Sequence, residues 1–71
     1  MEASPPRFPI GTRFRPQRKH TYDAVVTDIW QTYNAAGELV RVRYVATHQF
    51  CGQTVTDYDV IDTTIARGLM A

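Results

Sequence analysis

The twelve residues from 39 to 50, "LVRVRYVATHQF", restrict the possible folds of this chain more than any other stretch. Apolar residues recur at every second position, so one face of an extended strand would be apolar and the other mostly polar. The two faces carry Val40, Val42, Tyr44 and Ala46 on one side and Arg41, Arg43, Val45 and Thr47 on the other. The stretch therefore predicts a long strand with one buried face.

Turn residues on both sides of this stretch divide the rest of the chain into short strands. Asn34 and Gly37 precede it and Gly52 follows it, and these residue types suit hairpin turns. Segments rich in β-branched and aromatic residues predict further strands at 22–33 and 54–60, with a shorter one at 11–15. Residues 61–70 are predicted to begin with a helical turn, capped by Asp62 or Thr63, or to add a last strand.

The predicted strand at 22–33 is apolar on both faces. Val25 and Ile29 fall on one face, and Ala24, Val26 and Trp30 fall on the other. A strand with one solvated face shows a cleaner alternation. The second apolar face therefore indicates contact with another subunit.

Four or five short strands with tight turns, and no long helical pattern, predict an all-β fold. The most suitable architecture is a small SH3-like barrel of about five strands over residues 10–71. Residues 1–9 hold three of the four prolines and are predicted to form a flexible N-terminal arm.

A chain of 71 residues forms at most one small domain. Such a chain buries only about 60% of its unfolded surface, and its core often needs a disulfide, a metal or a second subunit. Cys51 is the single cysteine, so an intrachain disulfide is excluded, and one thiol with two scattered histidines makes no zinc site. We therefore expect a homo-oligomer without a metal.

The sequence also bears on location in the cell. No apolar run approaches the roughly 20 residues that a membrane helix needs. The first residues lack the apolar segment of a signal peptide, and a lone thiol suits a reducing compartment. We expect a cytoplasmic protein without membrane contact.

Charge is distributed unevenly along the chain. Residues 1–20 carry five basic residues against one acidic residue, whereas residues 21–71 carry three against six. The basic end either attracts anions or is an ordinary solvated segment. The six acids and a pI near 7.9 argue against a large nucleic-acid footprint.

The stretch "QTVTDYDV" at 53–60 contains two carboxylates, Asp57 and Asp59, which the i, i+2 spacing predicts on one side of a strand. By itself this spacing is most common on a solvated face. A nucleophilic pair of Cys51 and His48 lacks a third group to orient it. Two interpretations stay open at this point: a nucleic-acid-binding barrel with stacking aromatic residues, or an oligomer whose strands line a pocket for an anionic ligand.

The order of residues resembles the plasmid-borne type B dihydrofolate reductases, which are trimethoprim-resistant SH3-like barrels that act as homotetramers around one central pore. Their pattern contains F-x-x-G-D-R-V-R-K-K, G-W-Y-C-T-N, S-V-Q-I-Y-P-V and A-L-E-R-I. This chain has "FPIGTRFRPQRK" (8–19), "DIWQTYN" (28–34), "QTVTDYDV" (53–60) and "TTIARG" (63–68) in the same order. The matching positions are Gly11, Arg13, Arg15, Trp30, Asn34, Val55, Tyr58 and Val60.

The resemblance implies NADPH-dependent reduction of dihydrofolate to tetrahydrofolate in a pore shared by four subunits, without inhibition by trimethoprim. The pore would be lined by Val55, Thr56, Asp57 and Tyr58. Thr56, Asp57 and Tyr58 would take the catalytic positions, and Val55, Asp57 and Tyr58 would contact the cofactor. Thr54 and Thr56 would contact the substrate.

The chain departs from the family pattern at several positions, among them Thr54, where the family has a serine. Thr56 replaces a glutamine that packs against the stacked rings, Asp57 replaces an isoleucine, and Pro16 replaces a lysine that meets phosphate and the folate tail. Nearby basic residues would supply that charge, with Arg15 and Lys19 for the cofactor and Arg18 for the substrate. Four copies of Asp57 in one pore could supply a proton donor. The alternative is a non-catalytic nucleic-acid-binding or accessory protein of a mobile element.

Overall fold

The computed structural model describes residues 3–16 and 23–69, in which four antiparallel strands form one sheet in chain order. The elements are β1 (Arg13–Phe14), β2 (Ala24–Tyr33), β3 (Leu39–Phe50), β4 (Gln53–Val60) and α1 (Asp62–Arg67). The prediction of an all-β fold is confirmed, and β3 begins and ends where the alternation predicted. β1 is shorter than the predicted strand at 11–15. β2 begins after Tyr22, which lies outside the described residues.

The chain after β4 forms a short helix. The carbonyl of Ile61 accepts hydrogen bonds from the backbone N–H groups of Thr64 and Ile65, at 3.1 and 3.4 Å. Ile61 is the N-cap and no side chain caps the helix, so the predicted cap at Asp62 or Thr63 is wrong. Among the described residues, no helix is long and apolar enough to cross a membrane.

The end of the described chain returns to the first strand. Leu69 forms an isolated β-bridge with Phe14, and the N–H of Arg15 donates to the carbonyl of Gly68 at 2.8 Å. In the described ranges, this bridge is the only pairing beyond the four strands. A fifth strand and a closed barrel therefore stay predictions.

One face of the sheet buries the hydrophobic core, which we call the core side. The largest fully buried side chains are Tyr44, Phe14, Ile65 and Val26, and they cluster with Ala24, Ala46 and Val60. Burial of a large apolar side chain contributes about 1.5–3 kcal/mol. Ile65 belongs to α1, so its burial holds the helix against the core side of the sheet.

Residues 3–9, predicted as a flexible arm, contact this sheet. The N–H of Arg7 donates to the hydroxyl of Tyr44 at 2.9 Å, and the ring of Phe8 lies 6.2 Å from the ring of Tyr44. Ala3 donates its N–H to the carbonyl of Leu39 at 2.7 Å. The bond from Arg7 gives the hydroxyl of the buried Tyr44 the partner that a buried polar group requires. Flexibility of the arm stays a prediction.

A β-bulge in β2 changes which face its later residues occupy. Thr27 is an extra residue relative to β3, because the register shifts by one at this point. Ala24 and Val26 before the bulge are buried, and Ile29 after it packs against the same core. Trp30 is 51% exposed on the opposite face. The prediction that Trp30 shares a face with Val26 is therefore wrong, since one inserted residue reverses the alternation.

A second bulge lies in β4 and separates the two carboxylates. Asp57 pairs with Ala46 and Val60 pairs with Tyr44, so β4 contains one more residue than β3 over this interval. Asp57 lines a cavity on the core side, whereas Asp59 contacts arginines on the opposite face. The prediction that Asp57 and Asp59 point to the same side is wrong, for the same physical reason as in β2.

Candidate functional site

β4 contains the four pore-lining residues implied by the family resemblance, and it lies at one edge of the sheet. Its residues are exposed from Gln53 to Asp59, and only Val60 is buried. Val55 and Tyr58 are 39% and 58% exposed, although both have large apolar side chains. An exposed edge strand of this kind presents both side chains and main-chain groups to another molecule.

The four residues point to two faces of the sheet. Val55 and Asp57 lie on the core side, in register with buried Ala46 and its neighbours. Thr56 and Tyr58 lie on the opposite face, which we call the outer face. All four can therefore meet one ligand only if the open edge of β4 itself is directed towards that ligand.

The outer face carries an exposed aromatic pair. The rings of Trp30 and Tyr58 lie 5.8 Å apart between centroids, with 36° between their planes. Val45, on the strand between them, is only 5% exposed. The indole Nε1 of Trp30 donates to a carboxylate oxygen of Asp28 at 3.1 Å, which orients the ring. Such a pair can stack against a planar ligand.

Two arginines that the sequence did not predict as site residues lie beside this pair. The cleft that they share with the aromatic rings has a volume of about 360 Å³. Its lining consists of Trp30, Thr32, Arg41, Arg43, Tyr58 and Asp59. Sequence reasoning missed this arrangement, because neither bulge has a local signal and Trp30 was placed on the wrong face.

The charges in the cleft are only partly balanced. Arg43 Nε and Arg41 Nη2 both donate to Oδ1 of Asp59, at 3.0 and 3.4 Å. Exposed ion pairs of this type contribute only about 0–1 kcal/mol to stability. Two guanidinium groups against one carboxylate leave a net positive charge. The cleft can therefore accept an anionic group next to an aromatic surface.

The basic residues predicted as the anion site are placed only in part. Arg15 and Arg13 are exposed, and their Nη2 atoms lie 3.5 and 3.4 Å from the carboxylate of Asp23, which offsets part of their charge. Arg18 and Lys19 lie outside the described residues. Their roles towards substrate and cofactor stay predictions.

A second cavity, of about 230 Å³, lies on the core side. His48, Asp57 and Thr64 supply its polar groups, and buried apolar residues such as Phe14 supply the rest of its lining. Cys51 lies in the exposed turn between β3 and β4. Among the residues that the structure describes, no group of three His, Cys, Asp or Glu side chains is arranged to hold a metal ion.

The predicted substrate residue Thr54 lies near the start of β4. Its hydroxyl oxygen accepts a hydrogen bond of 2.6 Å from the side-chain amide of Gln49.

Comparison with protein-family models, curated proteins and solved structures finds no match to this chain. Support for a function therefore comes from the chain's own residues and geometry.

Proposed function

We propose that this chain assembles as a homotetramer of SH3-like barrels and reduces dihydrofolate to tetrahydrofolate with NADPH, in a pore shared by the four subunits. The observation that carries this proposal is the exposure of every residue from 55 to 58 on an edge strand. The β4 edge of one subunit can cover only one side of a ligand. Several copies around one axis would enclose the ligand and cover Val55 and Tyr58.

A fifth strand, which would complete an SH3-like barrel, is part of this proposal. The bridge from Leu69 to Phe14 and the hydrogen bond from Arg15 to Gly68 bring the chain end beside β1. Continued pairing along this line would add a fifth strand next to β1. This arrangement supports a partly open SH3-like barrel, because full closure would pair the edge of β4 and leave no edge for subunit contact.

The outer face has groups that fit a dinucleotide cofactor. Trp30 and Tyr58 offer a flat aromatic surface, and the guanidinium groups of Arg41 and Arg43 suit phosphate oxygens. NADPH supplies a hydride when bound. The protein's own contribution would be positioning, because holding two reactants in a near-attack geometry can lower a barrier by about 7–11 kcal/mol.

The residues of β4 take distinct parts in this positioning. Tyr58 would pack against a planar ring, and the hydroxyl of Thr56 would hydrogen-bond the substrate on the same face. Asp57 lies on the core side of the strand, so it would have to reach the ligand across the open edge, where it would donate the proton that the pteridine takes up on reduction. Replacement of Asp57 by Asn tests that role: the pH dependence of kcat should change, and an unchanged pH–rate profile would contradict it.

The decisive assay follows NADPH oxidation with dihydrofolate in the presence of trimethoprim. We expect turnover that persists with the inhibitor, and a loss of at least about tenfold in kcat/KM for Tyr58→Ala, which corresponds to about 1.4 kcal/mol. Tyr33→Ala is the matched control, because Tyr33 is 57% exposed and lies outside β4. Absence of turnover in the unaltered protein at high concentration would refute the proposal.

A second candidate function is supported by the same outer face. Aromatic rings next to arginines suit single-stranded nucleic acid, where stacking contributes about 1–3 kcal/mol per base. A labelled mixed-sequence oligonucleotide would then bind with an affinity that falls steeply with salt and is lost in Trp30→Ala. Such binding without NADPH turnover would favour this function over the reductase.

A further inference from the structure

β4 presents an open edge whose first half, residues 53–56, has none of the features that protect an edge strand. In the described part of the chain, residues 53–58 make no backbone–backbone hydrogen bond outside the ladder with β3. Natural edge strands are commonly protected by a very short length, proline, charged side chains or a β-bulge. β4 has eight residues without lysine or proline, and its two carboxylates and its bulge lie at Asp57 and beyond. An edge with these properties is expected to pair with another strand.

The hairpin turn shows which backbone groups face this edge. β3 and β4 are joined by a two-residue turn in which both residues have positive φ, and this type of turn closes on the hydrogen-bonded pair of Phe50 and Gln53. Bonded and non-bonded pairs alternate along an antiparallel ladder. Thr54 and Thr56 therefore direct their N–H and C=O groups away from β3 and towards the open edge.

We propose that β4 pairs with β4 of a second copy of this chain, antiparallel, about a two-fold axis at Val55. The result is one continuous sheet through two subunits. Thr54 of each copy exchanges main-chain hydrogen bonds with Thr56 of the other copy. This inference concerns how subunits meet and does not rest on the proposed reductase activity. Where the two edges pair, a ligand would contact the side chains of β4 from a face of the joined sheet and not through the edge.

The charges of β4 and its bulge select this register. An axis at Asp57 or Tyr58 would place carboxylates of the two copies directly opposite each other, which is destabilising. An axis at Thr56 would require regular pairing across the bulge that follows Asp57. An axis at Val55 avoids both problems, because it uses only residues 53–57, whose pairing with β3 is regular.

The side chains brought together by this register are complementary. Val55 lies opposite Val55 and joins two exposed apolar groups, and Thr54 lies opposite Thr56 on the outer face. The amide of Gln53 lies opposite the carboxylate of Asp57 and can donate to it. Pairs of β-branched residues and pairs with hydrogen bonds are the ones that stabilise antiparallel strands. The strand thus contains its own complement, which identifies a second copy as the occupant of the edge.

Disulfide trapping tests the register. In a Cys51→Ser background, Val55→Cys should form an intermolecular disulfide on mild oxidation. Non-bonded antiparallel pairs hold their Cα atoms about 4.5 Å apart, which is within the range of about 4.4–6.8 Å that a disulfide spans. Gln53→Cys in the same background is the matched control, since four residues of offset separate its two copies by about 14 Å. Equal cross-linking of the two variants would overturn the inference.

Analytical ultracentrifugation tests the edge itself. Thr56→Pro removes an outward N–H and leaves the ladder with β3 intact, because proline is tolerated where the N–H faces away from the sheet. We expect the dimer of this variant to have a dissociation constant at least tenfold higher than that of the unaltered protein. Its circular dichroism spectrum should be unchanged. If Thr56→Pro fails to fold, the comparison of Val55→Cys with Gln53→Cys still tests the edge pairing.

The outcomes separate this inference from the proposed function. A dimer that cross-links at Val55 but has no NADPH turnover supports the edge pairing and refutes the reductase. A protein that stays monomeric, or that associates without preferential cross-linking at Val55, refutes the edge pairing.

Discussion

The rings of Trp30 and Tyr58 lie 5.8 Å apart although β2 and β4, which carry them, are not neighbours in the sheet. Val45, on the intervening strand, is nearly buried even though it lies on the outer face. Trp30 reaches this face because the bulge at Thr27 precedes it, whereas Tyr58 reaches it by regular alternation from Thr56. The outer face therefore has a small apolar centre of its own, separate from the main core.

This pair should stabilise the fold beyond the area that each ring buries. A double-mutant cycle with Trp30→Ala and Tyr58→Ala should give a coupling free energy of about 0.5–1.5 kcal/mol in urea unfolding. Pairing Tyr58→Ala with Ile10→Ala is the control, because Ile10 is exposed in the N-terminal segment, and its effect should be additive. A coupling near zero for the aromatic pair would contradict the contact.

Gly68 is required because the backbone of Arg15 passes directly beside it. A Cβ atom at Gly68 would overlap with the carbonyl oxygen of Arg15, which is rigid backbone. Gly68→Ala should therefore lower the free energy of unfolding by about 1–3 kcal/mol.

Gly52→Ala provides a useful comparison for that variant. Gly52 has a φ of 78° but no atom near the position of a Cβ. Gly52→Ala should lower the free energy of unfolding by about 1–2 kcal/mol, only because alanine disfavours this backbone conformation. Loss of the Phe14–Leu69 bridge, seen as faster amide hydrogen exchange in β1, should occur in Gly68→Ala and not in Gly52→Ala.

Cys51 occupies a backbone conformation that cysteine adopts at a cost. Its φ is 52°, in the left-handed region, and it precedes Gly52 in the turn between β3 and β4. Asparagine followed by glycine is the preferred pair for such a turn. Cys51→Asn should raise the unfolding free energy by about 0.5–1 kcal/mol, measured by thermal unfolding. Cys51→Val should lower it, because β-branched residues are strongly disfavoured at positive φ.

Asn34 holds the turn between β2 and β3. Its side-chain oxygen accepts hydrogen bonds from the backbone N–H groups of Ala36 and Glu38, at 2.9 and 3.0 Å. Asn34→Ala should destabilise the protein by about 1–2 kcal/mol, since each bond contributes about 0.5–1.5 kcal/mol. Asn34→Asp keeps the acceptor oxygen and should retain most of the stability. Equal losses in the two variants would show that the side-chain oxygen is not responsible.

Local sequence was sufficient for much of the fold. The alternation over 39–50 placed β3 to the residue, and Asn34, Gly37 and Gly52 marked both hairpin turns. These features depend on side-chain periodicity and on the backbone freedom of a few residues, which neighbours in the chain determine. The strand β4 was likewise predicted from its residues, and its role in lining a pore stays a prediction.

Tertiary structure alone decided which faces the functional side chains share. The bulges at Thr27 and after Asp57 each insert one residue, and each reverses the alternation from that point onward. Their positions follow from how β2 and β4 fit the twist of β3 and cover the core, and this fit depends on contacts between distant residues. For that reason Trp30 meets Tyr58 on the outer face, and two aspartates only two positions apart face opposite sides of one strand.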